Sequence, residues 1–374
     1  MSQLQGLPSR LARGNGIPYP VANMSPYSNQ PLSYSSPDKL LGCLESVSGI
    51  RALVIGDVVL DRYIWGKANR ISPEAPVPIV HIQRTEDRLG CAGNAARNLR
   101  ELGVEVALCG ILGEDDEGRT VERLLGSEGI SHELIFVDQS LPTIVKTRVI
   151  AQSQQVVRID REEFDPHSES RMTHFHSLLQ PHLGSRDLII VSDYGKGTVT
   201  PALFDLLQRE RDAGNLTCPV VVDPHPANFG AYHDITIAKP NRGEAELASG
   251  IRITDRRSAI KAASVLRERW SSEMMMITLG EDGLVIVTDE HPEGMFLETA
   301  AQEVFDVSGA GDTVTAVFSA AYVSGKSVRI AGELANLAAG IVVSEVGTVP
   351  IELQRLEDFI RTALGDGKSA RKEP

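Results

Sequence analysis

The chain has 374 residues, 42% hydrophobic and 23% charged, which is enough for one large α/β domain or two modest ones. A formal charge of −13 argues against nucleic acid as a partner, because a phosphate backbone needs a basic surface. No apolar run approaches the roughly 20 residues that span a bilayer, so no membrane partner is expected.

Residues 1–49 read as a flexible extension without a fold of its own. The first 37 hold no Asp or Glu and are rich in Ser, Pro, Asn and Tyr. Only Arg10 and Arg13 are basic there, and the prolines interrupt any amphipathic helix, which argues against a transit peptide. The four cysteines (Cys43, Cys91, Cys109, Cys218) form no CxxC pair and no Cys/His cluster. That pattern suits a reducing cytoplasm and gives neither a disulfide framework nor a zinc site.

Regular structure is expected from about residue 50 to 364, with 365–374 as a tail. "RALVIGD" (51–57) is a first buried strand, "GNAARNLRELG" (93–103) a helix closed by glycine, "VEVALCGILG" (104–113) a strand and 116–130 a second helix. Apolar runs at 187–193, 219–223, 234–240 and 274–280 alternate with helical segments at 201–213, 241–249 and 256–270. Such alternation predicts an α/β fold with a mostly parallel central sheet covered on both faces. Ligands in such sheets gather beyond the carboxyl ends of the strands. Two stretches break the pattern. Residues 75–90 and 143–163 look extended and half-polar, and the second alternates with period two on either side of "QSQ", as a hairpin does. They form either a small β-layer over the mouth of the sheet, with its first strand starting near 58, or an ordinary hairpin at the sheet edge.

The chemistry concentrates in "DVSGAGDTV" (306–314), which opens an apolar helix. A helix start presents unpaired N–H groups and partial positive charge, and Gly309 and Gly311 let an anion approach them closely. Asp312 is either a first-turn acid of the ordinary kind or a base beside an anion cradle. Other nucleotide and hydrolase signatures fail. The Walker tail "GKS" (325–327) has Ala320 where the first glycine belongs, "GAGDTV" ends in Val314 where G-x-G-x-x-G needs glycine, and no HRD, DFG or G-x-S-x-G set occurs. Phosphoryl transfer to an alcohol needs a base at the hydroxyl and fixed donors around the moving group. Four residues, "GAGD", offer both.

"RLGCAGNAARNLRELG" (88–103) with "DVSGAGDTV" resembles the paired signatures of the ribokinase-like, or PfkB, sugar kinases, across roughly residues 50–362. "GDVVLDRYIWGKANRISPEAPVPIV" (56–80), "TRVIAQSQQVVRID" (147–160) and "VSDYGKG" (191–197) are similar to the D-glycero-D-manno-heptose 7-phosphate kinases within that family. The resemblance implies a ribokinase-like fold with a small β-sheet lid and an ATP- and Mg2+-dependent kinase, to which a monovalent cation is a possible addition. It also implies work on a sugar phosphate in nucleotide-activated heptose synthesis, and a small β-layer, whose edges invite pairing, is expected to give a homodimer contact. Bifunctional relatives carry a nucleotidyltransferase domain with an HxGH motif, which this sequence lacks.

By resemblance Asp312 is the base, and Gly309, Ala310 and Gly311 the anion hole. Asp61 and Asn94 hold sugar hydroxyls, and Asp193 in "SDYGKG" joins them. Asn241 and Glu244 of "NRGE" organise phosphate and magnesium, Glu244 through water. Thr278 and Gly280 of "ITLGEDG" and Asn336 of "ELANLAAG" form the nucleotide pocket. Cys91 stands where the family usually has a second glycine. Plainer readings stay open. Asn241 and Glu244 suit a helix capping box, Asn336 a satisfied polar core residue, and Asp61 a surface pair with Arg62 or Arg70. Lys196 is either a phosphate ligand or a loop lysine. Lys146 and Arg148, two apart on a strand, share a face and either clamp a substrate phosphate or solvate an edge.

Overall fold

The computed structural model describes residues 34–365, apart from 153, 164–168, 302, 303, 305, 326 and 346. The N-terminal expectation needs correction at once. Residues 34–49 are packed, with helix α1 (Pro37–Glu45) burying Leu40 and Leu44 against the helices at the far end of the chain. Proline at its start and leucines four apart made a short amphipathic helix that the average composition of the stretch concealed. Residues 1–33 and 366–374 lie outside the described residues.

The first half supplies β1 (Arg51–Gly56), β2 (Val58–Ile71), β3 (Pro78–Cys91), α2 (Ala92–Glu101), β4 (Glu105–Gly113), α3 (Asp116–Ser127) and β5 (Ser131–Asp138). The hairpin β6 (Ile144–Ala151) and β7 (Gln154–Arg161) follows, then α4 (Glu169–Leu179), β8 (Leu188–Ser192) and α5 (Pro201–Asp212). Next come β9 (Val220–Asp223), β10 (Ile237–Ala238), α6 (Arg242–Ser249), α7 (Arg256–Arg269), β11 (Met274–Thr278), β12 (Leu284–Val287) and β13 (Met295–Leu297). The chain closes with α8 (Ala310–Gly325), α9 (Val328–Val342) and α10 (Leu353–Gly365).

Among the described residues, nine strands form one sheet in the order β13-β12-β11-β10-β9-β8-β1-β4-β5. Pairing is parallel from β11 to β5, and β12 and β13 add antiparallel strands at one edge. Alternate residues of β1 feed different cores. Ala52 and Val54 pack under α1, α2, α8, α9 and α10, while Leu53 and Ile55 pack towards α4, α5 and α7. Side chains of a strand point alternately to the two faces, so one apolar run fills both layers.

The half-polar stretches build a second sheet, β3-β2-β6-β7, in which β2 runs parallel to β6 and the outer pairs are antiparallel. Asp61 is the fourth residue of β2 and so belongs to this small sheet. The sheet is fastened to the main body at Tyr63, whose hydroxyl accepts from the Thr348 amide at 3.0 Å and shares a hydrogen with its side chain at 3.1 Å.

Candidate active site

The central strands end in polar residues on one edge of the main sheet. Asp57 follows β1, Asp193 follows β8, Asp223 closes β9 and Lys239 follows β10. The N-terminus of α8 comes down onto this edge. Gly309, at φ +81°, makes the entry turn, and a Cβ there would lie 2.8 Å from Asn94 Nδ2 and 2.9 Å from Thr348 Cγ2. Only glycine suits that position, on backbone and steric grounds alike.

Asp312, on the first turn of α8, is only 3% exposed. Its Oδ2 accepts from Asn94 Nδ2 at 2.8 Å and its Oδ1 from the Tyr194 hydroxyl at 2.7 Å. Burial pushes its pKa up to about 7; the nearby Asp223 charge pushes the same way, and Asn94, Tyr194 and Lys239 oppose them. Tyr194 is buried beside this carboxylate, which holds its own pKa well above the usual phenol value and keeps it a donor. A carboxylate poised near neutrality at a helix start is equipped to take a proton from an alcohol, although the Ala310 amide of the expected cradle donates to the Val307 carbonyl at 3.3 Å. Asn94 thus touches the Asp312 carboxylate directly, while α2 anchors it from behind through Asn98, whose amide donates to the Asn94 carbonyl at 2.9 Å.

Asp57 was missed in the sequence. Its carboxylate accepts from the backbone N–H of Tyr194 (2.9 Å), Lys196 (2.9 Å) and Thr198 (3.0 Å), so one buried side chain shapes the whole "DYGKG" loop. Glycines at positive φ, Gly195 and Gly197, permit the turn. The expected substrate contact of Asp193 is corrected here. Its Oδ1 accepts from the Gly195 amide at 2.8 Å and its Oδ2 from Asn228 at 2.8 Å and the Tyr232 hydroxyl at 2.6 Å. Burial raises its pKa to about 6 against these donors. It organises the loop from inside. Lys196 points its amine to Glu162 at 2.7 Å, tying that loop to the end of β7.

On the small sheet, Asp61 pairs with Arg148 at 2.5 Å and not with Arg62 or Arg70; Arg62 is engaged with Asp87 at 2.8 Å. Gly90 makes room for the Asp61 carboxylate, because a Cβ there would stand 2.5 Å from Oδ2. Lys146 and Arg148 do share the face that looks at the main sheet. Arg148 also stacks over the Tyr63 ring at 5.3 Å, with Arg88 over the same ring at 4.9 Å. Lys146 sits 5.6 Å over the Tyr194 ring, its amine 3.8 Å from Cys91 Sγ, and makes no ion pair among the described residues. The expected two-point clamp is therefore uneven: Arg148 already has an internal carboxylate, and Lys146 does not.

At the start of α6, Asn241 Oδ1 accepts from the Glu244 amide at 2.9 Å and Glu244 Oε2 from the Asn241 amide at 2.8 Å. The capping box is real. Burial raises the Glu244 pKa, and Asp223 adds to that while Lys239 opposes it, so the carboxylate also faces the α8 mouth electrostatically. Asn241 bridges to Thr278 at the end of β11, and Gly280 turns the following loop at φ +66°. Asn336 differs from expectation. Its amide donates to the Glu298 carbonyl at 2.5 Å and the Tyr34 hydroxyl at 3.0 Å, which is the satisfied polar core arrangement. The N-terminal segment, read as unstructured, supplies that tyrosine.

The pfkB family carbohydrate kinase model matches residues 50–354. Proteins named bifunctional protein HldE from Pelobacter propionicus and Geobacter sulfurreducens are 42% and 41% identical over 320 and 326 residues. Each match covers 86% of this chain, and the chain spans 65% of the length of each relative. Among solved structures, Arabidopsis thaliana ribokinase complexed with ribose and ATP aligns at TM-score 0.65 with 18% identity, over 83% of this chain and 99% of that one. Escherichia coli phosphofructokinase-2 with substrates and products aligns at TM-score 0.67 with 15% identity, over 83% and 98%. At such identities the likeness speaks for the fold, which is ribokinase-like. The family match establishes that the chain belongs to the pfkB family of carbohydrate kinases, phosphotransferases whose acceptor is a sugar hydroxyl.

Proposed function

We propose that the protein transfers the γ-phosphoryl group of ATP to the anomeric hydroxyl of D-glycero-D-manno-heptose 7-phosphate, giving the 1,7-bisphosphate for nucleotide-activated heptose synthesis. The observation that carries the substrate class is Lys146. It is a half-buried cation without a carboxylate partner among the described residues, on the face of the small sheet that looks at Tyr194 and Asp312. A sugar that already bears a phosphate needs such a charge away from the transferred group. The segment resembling heptose kinases at 147–160 overlaps this strand and begins one residue after Lys146. The test is ADP release across a panel of sugars and sugar phosphates, run with and without potassium. Heptose 7-phosphate should be preferred, and Lys146→Met should raise its KM about tenfold or more, while KM for ATP stays put. Equal losses with unphosphorylated sugars would assign Lys146 to the lid alone.

A kinase of the same family for another sugar phosphate is the second reading, and Cys91 favours it. The residue holds φ 53° and ψ −124° where the family usually has glycine, and its sulfur lies 3.8 Å from the Lys146 amine. A non-catalytic sensor is disfavoured by the complete set of Asp312, Asn94 and cradle amides.

The residues suit a magnesium ion that arrives on the nucleotide. No group of three acidic, histidine or cysteine side chains fit to hold a metal occurs among the described residues. A cation that keeps its waters needs only an outer carboxylate, and Glu244 provides one. When bound, the ion neutralises phosphate charge. Glu244→Gln keeps the cap's acceptor and removes the charge. It should raise the magnesium concentration for half-maximal rate several-fold with little change in melting temperature. A lower melting temperature at unchanged magnesium dependence would leave the cap as its whole role.

The small sheet also supports a homodimer. Val156, Val157 and Ile159 on the edge strand β7, with Ile71 and Ile82 on β2 and β3, are exposed apolar residues on a sheet with open edges. Light scattering at micromolar concentration should give twice the chain mass, and a strict monomer would refute the contact. No helix among the described residues is long and apolar enough to cross a membrane.

A further inference from the structure

We propose that Lys239 is a catalytic residue whose ammonium contacts the phosphoryl group as it passes from ATP to the acceptor hydroxyl. The inference rests on the kinase reading above and adds a participant that the sequence did not suggest. Lys239 follows β10 and is 3% exposed, among the most deeply buried cations of the chain. Its amine lies 2.9 Å from Asp223 Oδ1. Asp223 in turn accepts from the Thr315 hydroxyl of α8 at 3.2 Å, so the pair is braced against the helix that carries the base. An ammonium has three donors, and among the described residues no second acceptor holds this one.

The direction of the amine is informative. A Cβ built on Gly311 would stand 3.4 Å from Lys239 Nζ, so the ammonium faces the first turn of α8, where the cradle amides are. It is near enough to both Asp312 and Glu244 to favour their charged forms. A buried ion pair is weak evidence of stabilisation, because removing both charges from water costs about what their attraction returns. A fixed cation beside developing charge is a strong catalytic device.

In the transfer, the acceptor oxygen attacks the γ-phosphorus as its proton passes to the Asp312 carboxylate. The bond from that phosphorus to the β,γ-bridging oxygen breaks, and ADP leaves with the electron pair. Charge spreads over the three equatorial oxygens of the moving group. The cradle amides and Lys239 would meet those oxygens from two sides, and Asp223 keeps the amine aimed. Gly311 has no side chain in between, which gives its bareness a second purpose.

The experiment begins with the wild-type protein and the sugar panel. Absence of turnover with every sugar would be a failure of the kinase reading itself, separate from this proposal. With turnover in hand, Lys239→Met is compared with the double variant Lys239→Met/Asp223→Asn, which removes the unpaired carboxylate the single change leaves behind. Melting temperature and ATP affinity by calorimetry report folding and nucleotide binding. Both folded variants should lose kcat by about 10²–10³-fold, the scale for deleting one fixed donor to a transition state. The single variant should also move the acidic limb of its pH profile upward. Asn94, Tyr194, Asp223 and Cys91 would then surround Asp312 without the cation that favours its charged form. A smaller displacement is expected in the double variant, where Asp223 no longer opposes ionisation. A folded Lys239→Met enzyme with wild-type kcat, or one changed only in KM for ATP, overturns the proposal.

Discussion

Asp312→Asn should reduce kcat by at least about 10²-fold while leaving ATP affinity nearly unchanged, the lower scale for deleting a general base. An amide can still accept from Asn94 or Tyr194, so the pocket keeps its shape. It cannot accept the hydroxyl proton. The nucleotide is expected to lie along α8, α6 and the loop after β11, none of which depends on the Asp312 charge. Stopped-flow turnover and calorimetric ATP titration on the same preparation separate the two effects. Near-wild-type kcat would remove Asp312 from the chemistry and leave it a first-turn acid.

The pH profile follows from the same environment. With its pKa pushed up to about 7, Asp312 is largely protonated in mildly acidic solution and ionised above neutrality. A base works only when ionised, so kcat/KM should fall about tenfold per pH unit below that point and level off above it. An unshifted aspartate, ordinarily near 4, would give a flat profile through the whole neutral range. The two shapes are distinguishable between pH 5.5 and 8.5.

The parts of this site that were legible in the sequence are those set by short-range pattern. Gly309, Gly311 and Asp312 announce a helix start able to hold an anion, and the alternation of apolar runs with helices predicted the parallel sheet. Asp57, Tyr194, Asp223 and Lys239 were not picked out, because nothing local separates them from surface polar residues. A signal was nevertheless there. "VIGD", "VVVD" and "IAKP" each end an apolar strand in a polar residue, and the carboxyl ends of parallel strands are where such sheets bind ligands. Asn336 and Asp193 went the other way. Their residue types suited a pocket, yet tertiary partners from Tyr34, Glu298, Asn228 and Tyr232 consumed the donors and acceptors that a ligand would have used.

Asp57→Asn should be the most damaging change away from the reacting groups, in stability and in rate together. The native carboxylate is a buried acceptor for three backbone N–H groups. An amide offers a single acceptor oxygen and turns its own N–H donors towards a donor that Asp57 previously satisfied. Hydrogen bonds to charged groups contribute roughly 1.5–3 kcal/mol, and an orphaned buried donor costs a further 1–3, so a loss of about 3–5 kcal/mol is expected. Denaturant unfolding measures it. The rate should fall by a separate route. Tyr194 donates its hydroxyl to Asp312 while its own amide is held by Asp57, so a loosened loop withdraws a donor from the base and lets its pKa climb. A misplacement of about 1 Å in such a constellation costs about 10²-fold. The folded fraction of the variant should therefore show lower kcat and an acidic limb displaced to higher pH. Loss of stability with an unchanged limb would show that Asp57 holds the loop without tuning the base, and would detach Tyr194 from the catalytic set.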